Sequence, residues 1–120
     1  MSGMPGTRAY NAAGELLRLL AAPARLAIVA GLSERPRRVG ELVELLGMSQ
    51  PLVSQHLRVL RDARLVVAER QGREIVYTLV DQHVGHIVAD AVRHADEEPG
   101  IWAAAVEGRA ADKAAGDEAR

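Results

Sequence analysis

Apolar residues recur at helical spacing through most of the chain and change to a strand-like run only once. Ala12, Leu16, Leu19 and Leu20 fall on one helical face and predict a first helix beginning near Asn11. Pro23 suits the first turn of a second helix, where its missing N–H has no intrahelical acceptor to lose. Leu26, Ala27, Val29, Ala30 and Leu32 carry that helix to about Ser33. Glu34-Arg35-Pro36-Arg37-Arg38 reads as a turn. Val39, Leu42, Val43, Leu45 and Leu46 then give a short third helix ended by Gly47.

Ser49 has the chemistry of an N-cap, Pro51 lies in the first turn that follows, and Leu52, Val53, Leu57, Val59 and Leu60 supply the buried face of a fourth helix. Two short helices joined through Leu46-Gly47-Met48-Ser49 make a helix-turn-helix. Leu65 to Glu69 and Ile75 to Leu79 are rich in Val, Ile and Tyr, and Arg70-Gln71-Gly72-Arg73 between them is a glycine-containing turn, so this pair reads as a β-hairpin wing. Asp81 opens the last helix. Val84, Ile87, Val88, Ala91, Val92 and Ala95 carry it to Glu98, where Pro99-Gly100 stops it. Ile101 to Val106 is a brief apolar patch, and Gly108 to Arg120 has the composition of a solvated tail. The expected fold is mainly α with a small β-hairpin, a winged helix-turn-helix. Residues 1–10 and 99–120 are expected to be flexible, residues 11–98 to form one domain, and residues 81–98 its last helix.

Composition changes this picture in two ways. Fifteen Lys and Arg against 16 Asp and Glu give a formal charge of -1, which by itself argues against a nucleic-acid partner. The charge is unevenly distributed, however. Residues 1–80 carry 11 basic and 7 acidic side chains, whereas residues 81–120 carry 4 basic and 9 acidic ones. The positive excess thus coincides with the helix-turn-helix and wing. There is no cysteine, so disulfides, zinc fingers and thiolate metal sites are excluded and any metal must use oxygen and nitrogen ligands. No long apolar run or charged leader is present, which predicts a cytoplasmic chain with no membrane partner.

Ser49, Gln50, Ser54, Gln55, His56 and Arg58 lie on the segment that would enter a major groove. Short polar side chains there can meet base edges or phosphates, and glutamine can form two hydrogen bonds to an adenine edge. Arg58 and Arg61 can reach the DNA backbone, and the wing offers Arg70 and Arg73 to flanking phosphates. Glu34, Glu41 and Glu44 read as solubilising residues.

Three of the four histidines, His83, His86 and His94, lie in the last helix. His83 and His94 occupy nearly the same face but stand about 16 Å apart along the axis, so one chain cannot close them on one ion. Two copies packed antiparallel, with residue n facing about residue 177 minus n, would bring His83 of one beside His94 of the other and Asp81 near Glu97. Two histidines and two carboxylates would then converge twice per dimer, a tetrahedral nitrogen and oxygen set suited to zinc. Asp81 also suits a plain N-cap, and Glu97 belongs to an acidic cluster, Asp96-Glu97-Glu98. His86 lies about 60° from His83 around the helix and is left as a surrounding or surface residue.

The stretch from Met48 to Val67, MSQPLVSQHLRVLRDARLVV, and the later QGREIVYTL from Gln71 resemble the ArsR/SmtB family of winged-helix, metal-responsive repressors. The opening AAGELLRLLAAPAR from Ala12 is similar to the zinc-sensing SmtB branch of actinobacteria. The resemblance covers about residues 12–98. It implies a homodimer joined through the first and last helices that represses transcription by binding an imperfect inverted repeat in operator DNA. It further implies that Asp81, His83, His94 and Glu97 match the D-x-H and H-x-x-E metal ligands of the last helix, and that metal bound there weakens operator binding. The thiolate motif of the arsenic, cadmium and lead sensors is replaced here by Val39-Gly40-Glu41-Leu42-Val43. Zinc is therefore the expected inducer, with cobalt or nickel the alternative. The family's nickel sensors draw two further ligands from histidines in their termini, and neither terminus here contains one. A metal-independent dimeric repressor would use the same last helix purely as a contact. A hydrolytic zinc site is disfavoured because four protein ligands leave no open position for water.

Overall fold

The structure, a computed structural model, describes residues 6–98, 100, 102 and 105–108. The elements in chain order are α1 (Thr7–Leu20), α2 (Pro23–Glu34), β1 (Arg37–Arg38), α3 (Val39–Leu46), α4 (Gln50–Asp62), β2 (Val66–Gln71), β3 (Glu74–Leu79) and α5 (Gln82–Glu97). Two units are distinguished. Residues 1–88 hold the hydrophobic core, and residues 89–120 hold the later part of α5 and the described residues beyond it, of which Gly100, Trp102 and residues 105–108 are helical.

The core of the first unit is built on α2. Its Ile28, Val29 and Leu32 are buried together with Leu20 of α1, Leu42 of α3, Val53, Leu57 and Leu60 of α4, Val66 and Leu79 of the hairpin, and Val84 and Val88 of α5. Each such side chain contributes about 1.5–3 kcal/mol by leaving water. In α4 the buried residues recur at spacings of four and three, so one stripe of that helix is committed to the core. Leu52, expected in that stripe, is 41% exposed because it lies round the helix from the line of Val53, Leu57 and Leu60.

Glycine acts where the backbone must turn. Gly47 takes φ +64° after α3 and donates its N–H to the Val43 carbonyl at 2.9 Å. Ser49 is the N-cap residue of α4 in extended conformation, but its side chain makes no cap hydrogen bond; its carbonyl instead accepts from Val53 N–H at 3.0 Å.

The sheet has the order β1-β3-β2, with both neighbours antiparallel to β3. Register pairs Val66 with Leu79 and ends at Gln71 opposite Glu74, so the turn is only Gly72-Arg73, with Gly72 at φ +66°. The hairpin is thus longer, and its turn tighter, than the four-residue turn expected from composition. β1 corrects the expected turn over 34–38: Arg37 pairs with Tyr77 and Arg38 with Val76. Two arginines carry no β-pattern of their own, and only pairing with β3 makes them a strand.

The helix start expected near Asn11 is also corrected, to Thr7. Gly6 is extended and its carbonyl accepts from Ala9 N–H at 3.0 Å. Thr7 to Tyr10 are exposed, so no apolar periodicity marked that first turn. Of the residues 1–10 expected to be flexible, 7–10 lie in α1 and 1–5 lie outside the described ones. Similarly, the solvated tail expected from Gly108 starts on a helical residue and otherwise lies outside the described residues.

Two positions give stability tests. At the end of α4, Leu65 N–H bonds back to the Leu60 carbonyl and Arg64 N–H to the Arg61 carbonyl, both at 2.9 Å, which is the Schellman pattern with Arg64 in the left-handed place at φ +62°. Glycine is favoured there, so Arg64→Gly is expected to stabilise by about 0.5–1 kcal/mol in urea unfolding, the left-handed cost of a side chain less the added chain entropy of glycine. Gly85 of α5 lies where a Cβ would stand 2.6 Å from Ser33 Oγ, 3.0 Å from Ser33 Cβ and 3.1 Å from Leu79 Cδ2. Gly85→Ala is expected to cost about 1–3 kcal/mol, because more than the free end of one side chain must move.

Candidate nucleic-acid interface and metal-ligand helix

With Val53, Leu57 and Leu60 buried, the other side of α4 faces outward. Ser49, Gln50, Ser54, Gln55, Arg58 and Arg61 are exposed and His56 is half-buried. Ser49, having no cap bond, keeps its hydroxyl for another partner. Arg70 and Arg73 are exposed on the hairpin, on either side of Gln71-Gly72.

The arginines divide into two sets by their pairing. Arg58, Arg61, Arg70 and Arg73 make no ion pair with another described residue, so their charge is available to an anionic partner. Arg35, Arg37 and Arg38 are engaged within the chain. Arg37 donates to the Gly31 carbonyl at 2.8 Å and pairs with Glu34 at 2.7 Å. Glu41 accepts from Arg35 at 2.5 Å through Oε2, and from the Arg38 side chain at 3.2 Å and the Arg38 backbone N–H at 3.3 Å through Oε1. Both terminal nitrogen bonds from Arg38 Nη1, to Oε1 and Oε2 of Glu74, are 3.0 Å.

Glu41, expected to be merely solubilising, is therefore the centre of an ion-pair chain, and Glu34, read the same way, is the partner of Arg37. The Arg35 hydrogen bond, followed by the Arg38 backbone N–H, holds the Glu41 carboxyl down at about 2. Glu74, and next Glu41, raise Arg38 above its ordinary value. Sequence reading missed this network. The Arg38-x-x-Glu41 spacing at a helix start was its only local signal, because Glu74 comes near Arg38 solely through strand pairing.

The candidate metal ligands are all exposed and all on or beside α5. Asp81 does act as the cap: its Oδ1 accepts the His83 N–H at 2.8 Å and stands 3.6 Å from His83 Nδ1. α5 begins one residue after it and ends at Glu97, one residue short of the expected Glu98. The rings of His83 and His86 have centroids 6.3 Å apart. In the second unit His94 meets Trp102 edge to face at 6.4 Å. Among the described residues, no three His, Cys, Asp or Glu of one chain gather round a common point. The structure thus brings Asp81 and His83 together at the start of α5.

The winged helix-turn-helix geometry has known counterparts. The solution structure of apo-NmtR superposes with a TM-score of 0.66 at 40% identity, covering 81% of this chain and 82% of that one. The crystal structure of the repressor BigR from Xylella fastidiosa superposes at 0.65 with 35% identity, covering 69% and 85%. Residues 22–67, which span α2 to the start of β2, match the family of bacterial regulatory proteins described as the arsR family. The HTH-type transcriptional repressor SmtB of Mycobacterium tuberculosis is 56% identical over 94 residues, 78% of this chain and 70% of that repressor.

The chain belongs to the arsR family. It is a winged helix-turn-helix transcriptional regulator and not an enzyme, as the sequence reading expected. No single helix among the described residues is long and apolar enough to cross a membrane.

The pairing around Glu41 has a pH signature. A carboxyl held down to about 2 from an ordinary 4.5 stabilises the fold fully above pH 4.5 and loses that contribution as pH falls toward 2. Carbon-detected NMR titration of Glu41 is expected to give a midpoint near 2, and Glu41→Gln to flatten the fall in stability between pH 4.5 and 2.

Proposed function

We propose that this arsR-family chain is a zinc-responsive transcriptional repressor of the cytoplasm, which binds an inverted-repeat operator as a metal-free homodimer and is released when zinc binds between the last helices. Ser49, Gln50, Ser54, Gln55 and His56 read the major groove. Arg58, Arg61, Arg70 and Arg73 hold the flanking phosphates, a division of labour in which backbone contacts position and base contacts specify.

The observation that carries the metal part is the donor arrangement on α5. Asp81, His83, His94 and Glu97 are exposed, with no three donors in reach of one ion within the described residues of one chain, so a full ligand set calls for a second copy. The donor chemistry fits zinc: two imidazoles and two carboxylates, with no thiolate anywhere in the chain. Asp81 and His83 from one protomer would act with the partner's His94 and the partner's Glu97. Asp81 already orders the first turn of α5 through its bond to His83 N–H, and its Oδ2 stays open for a ligand. A bound zinc ion would supply a cross-link between the two last helices that favours one dimer geometry.

The rest of the work falls to the chain. Gly85 of α5 sits against Ser33 of α2 and Leu79 of β3, so a shift in the first turns of α5 reaches the body that carries α4 and the hairpin. Two recognition helices displaced together no longer match successive major-groove faces. Zinc need not touch DNA; it need only prefer the non-binding geometry.

Anisotropy titration with a labelled duplex, selected by the protein from a randomised pool, tests this. Zinc is expected to weaken binding about 5- to 150-fold, the usual range of allosteric coupling. Replacing both His83 and His94 by alanine is expected to leave metal-free affinity intact and abolish the zinc effect. A full zinc effect in that variant would reject the ligand assignment.

A further inference from the structure

We propose that Arg38 and Glu74 are positioning residues for DNA binding: their ion pair straps the hairpin to the N-terminus of α3 and so aims Arg70 and Arg73 at the DNA backbone. This rests on the DNA-binding reading above. β1 is two residues long and supports β3 only at Val76 and Tyr77. Beyond Val76 the hairpin is a two-stranded ribbon, an arrangement with little stability of its own. An open groove of about 550 Å³, lined by Arg38, Glu41, Arg73, Glu74 and Ile75 among others, lies between the start of α3 and this end of the hairpin.

The ion pair crosses that gap. Arg38 lies opposite Val76, and Glu74 is two residues nearer the tip on the same sheet face, so the two side chains are diagonal neighbours. Arg38 Nη1 engages both carboxylate oxygens at 3.0 Å. Arg38 is in turn held at the start of α3 by Glu41, and Glu41 by Arg35. A continuous chain of charged hydrogen bonds thus runs from the segment before β1 to the residue beside Arg73. Exposed ion pairs add little to stability, so what this one contributes is orientation. It also matches a negative charge beside the two wing arginines with a guanidinium.

The sign of one substitution separates this from plain electrostatics. Removing a carboxylate near a polyanion, and freeing Arg38, should tighten DNA binding if charge alone matters. If the pair aims the hairpin, Glu74→Ala should weaken it. The test uses the full chain, the selected duplex and a salt series, with Glu74→Ala, Arg70→Ala/Arg73→Ala and the triple variant, all checked for wild-type thermal melting.

Glu74→Ala is expected to weaken binding about 5- to 10-fold and to lower the salt slope, by about 0.9 for each phosphate that the hairpin no longer neutralises. The two arginine substitutions should cost distinctly less in the Glu74→Ala background than in wild type. Equal or tighter binding by Glu74→Ala, or equal arginine costs in both backgrounds, would overturn the proposal. If the arginine substitutions leave wild-type affinity and salt slope unchanged, the hairpin does not touch the phosphates, and the reading of the wing fails together with this proposal. That result is distinguishable because it appears without any change at Glu74.

Discussion

The burial of one stripe of α4 against α2 is the constraint on which the rest depends. Val53, Leu57 and Leu60 meet a helix whose Ile28, Val29 and Leu32 are themselves buried, and four-and-three spacing then forces Ser54, Gln55 and Arg58 to face outward. α3 is held to the same core by Leu42, and the hairpin by Val66 and Leu79. An outward face of polar side chains therefore arises from hydrophobic packing on the opposite side, without any polar interaction having to hold it.

Charge is distributed over that scaffold with a division that the net value of -1 conceals. Arginines before and at the start of α3 are paired with Glu34, Glu41 and Glu74 inside the chain, while those on α4 and around the hairpin turn stay unpaired among the described residues. The first group ties parts of the chain to one another, and the second is exposed. Along the sequence, Asp81, Asp90, Asp96, Glu97 and Glu98 flank the exposed histidines of α5.

Most of the helical architecture was legible, because periodicity reports a buried stripe directly. α3 was read at its observed bounds, α4 from Ser49 at its N-terminus, and the hairpin from its β-branched runs. The misreadings share one cause. Thr7 to Tyr10 bury nothing, Arg37-Arg38 has no strand pattern, and Leu52 is apolar but exposed, so at each of these positions local composition carries no information about neighbours distant in sequence. The same holds for the ion-pair network: the polar face of α4 follows from helix position, whereas the approach of Glu74 to Arg38 comes only from strand pairing.

By itself, the sequence determined the order of elements, the polar face of the fourth helix, the absence of thiolate chemistry and the spacing of donors along the last helix, all of which follow from period and residue type. Only the tertiary structure decided that two arginines become an edge strand, that Arg64 closes a helix in a left-handed conformation, that Gly85 is pressed against α2, and which arginines are already engaged. The strand pairing of Arg37-Arg38 with β3, the Gly85 contact and the Arg38–Glu74 pair join groups far apart in the chain, and hydrophobic collapse of the core, not local propensity, brings them there.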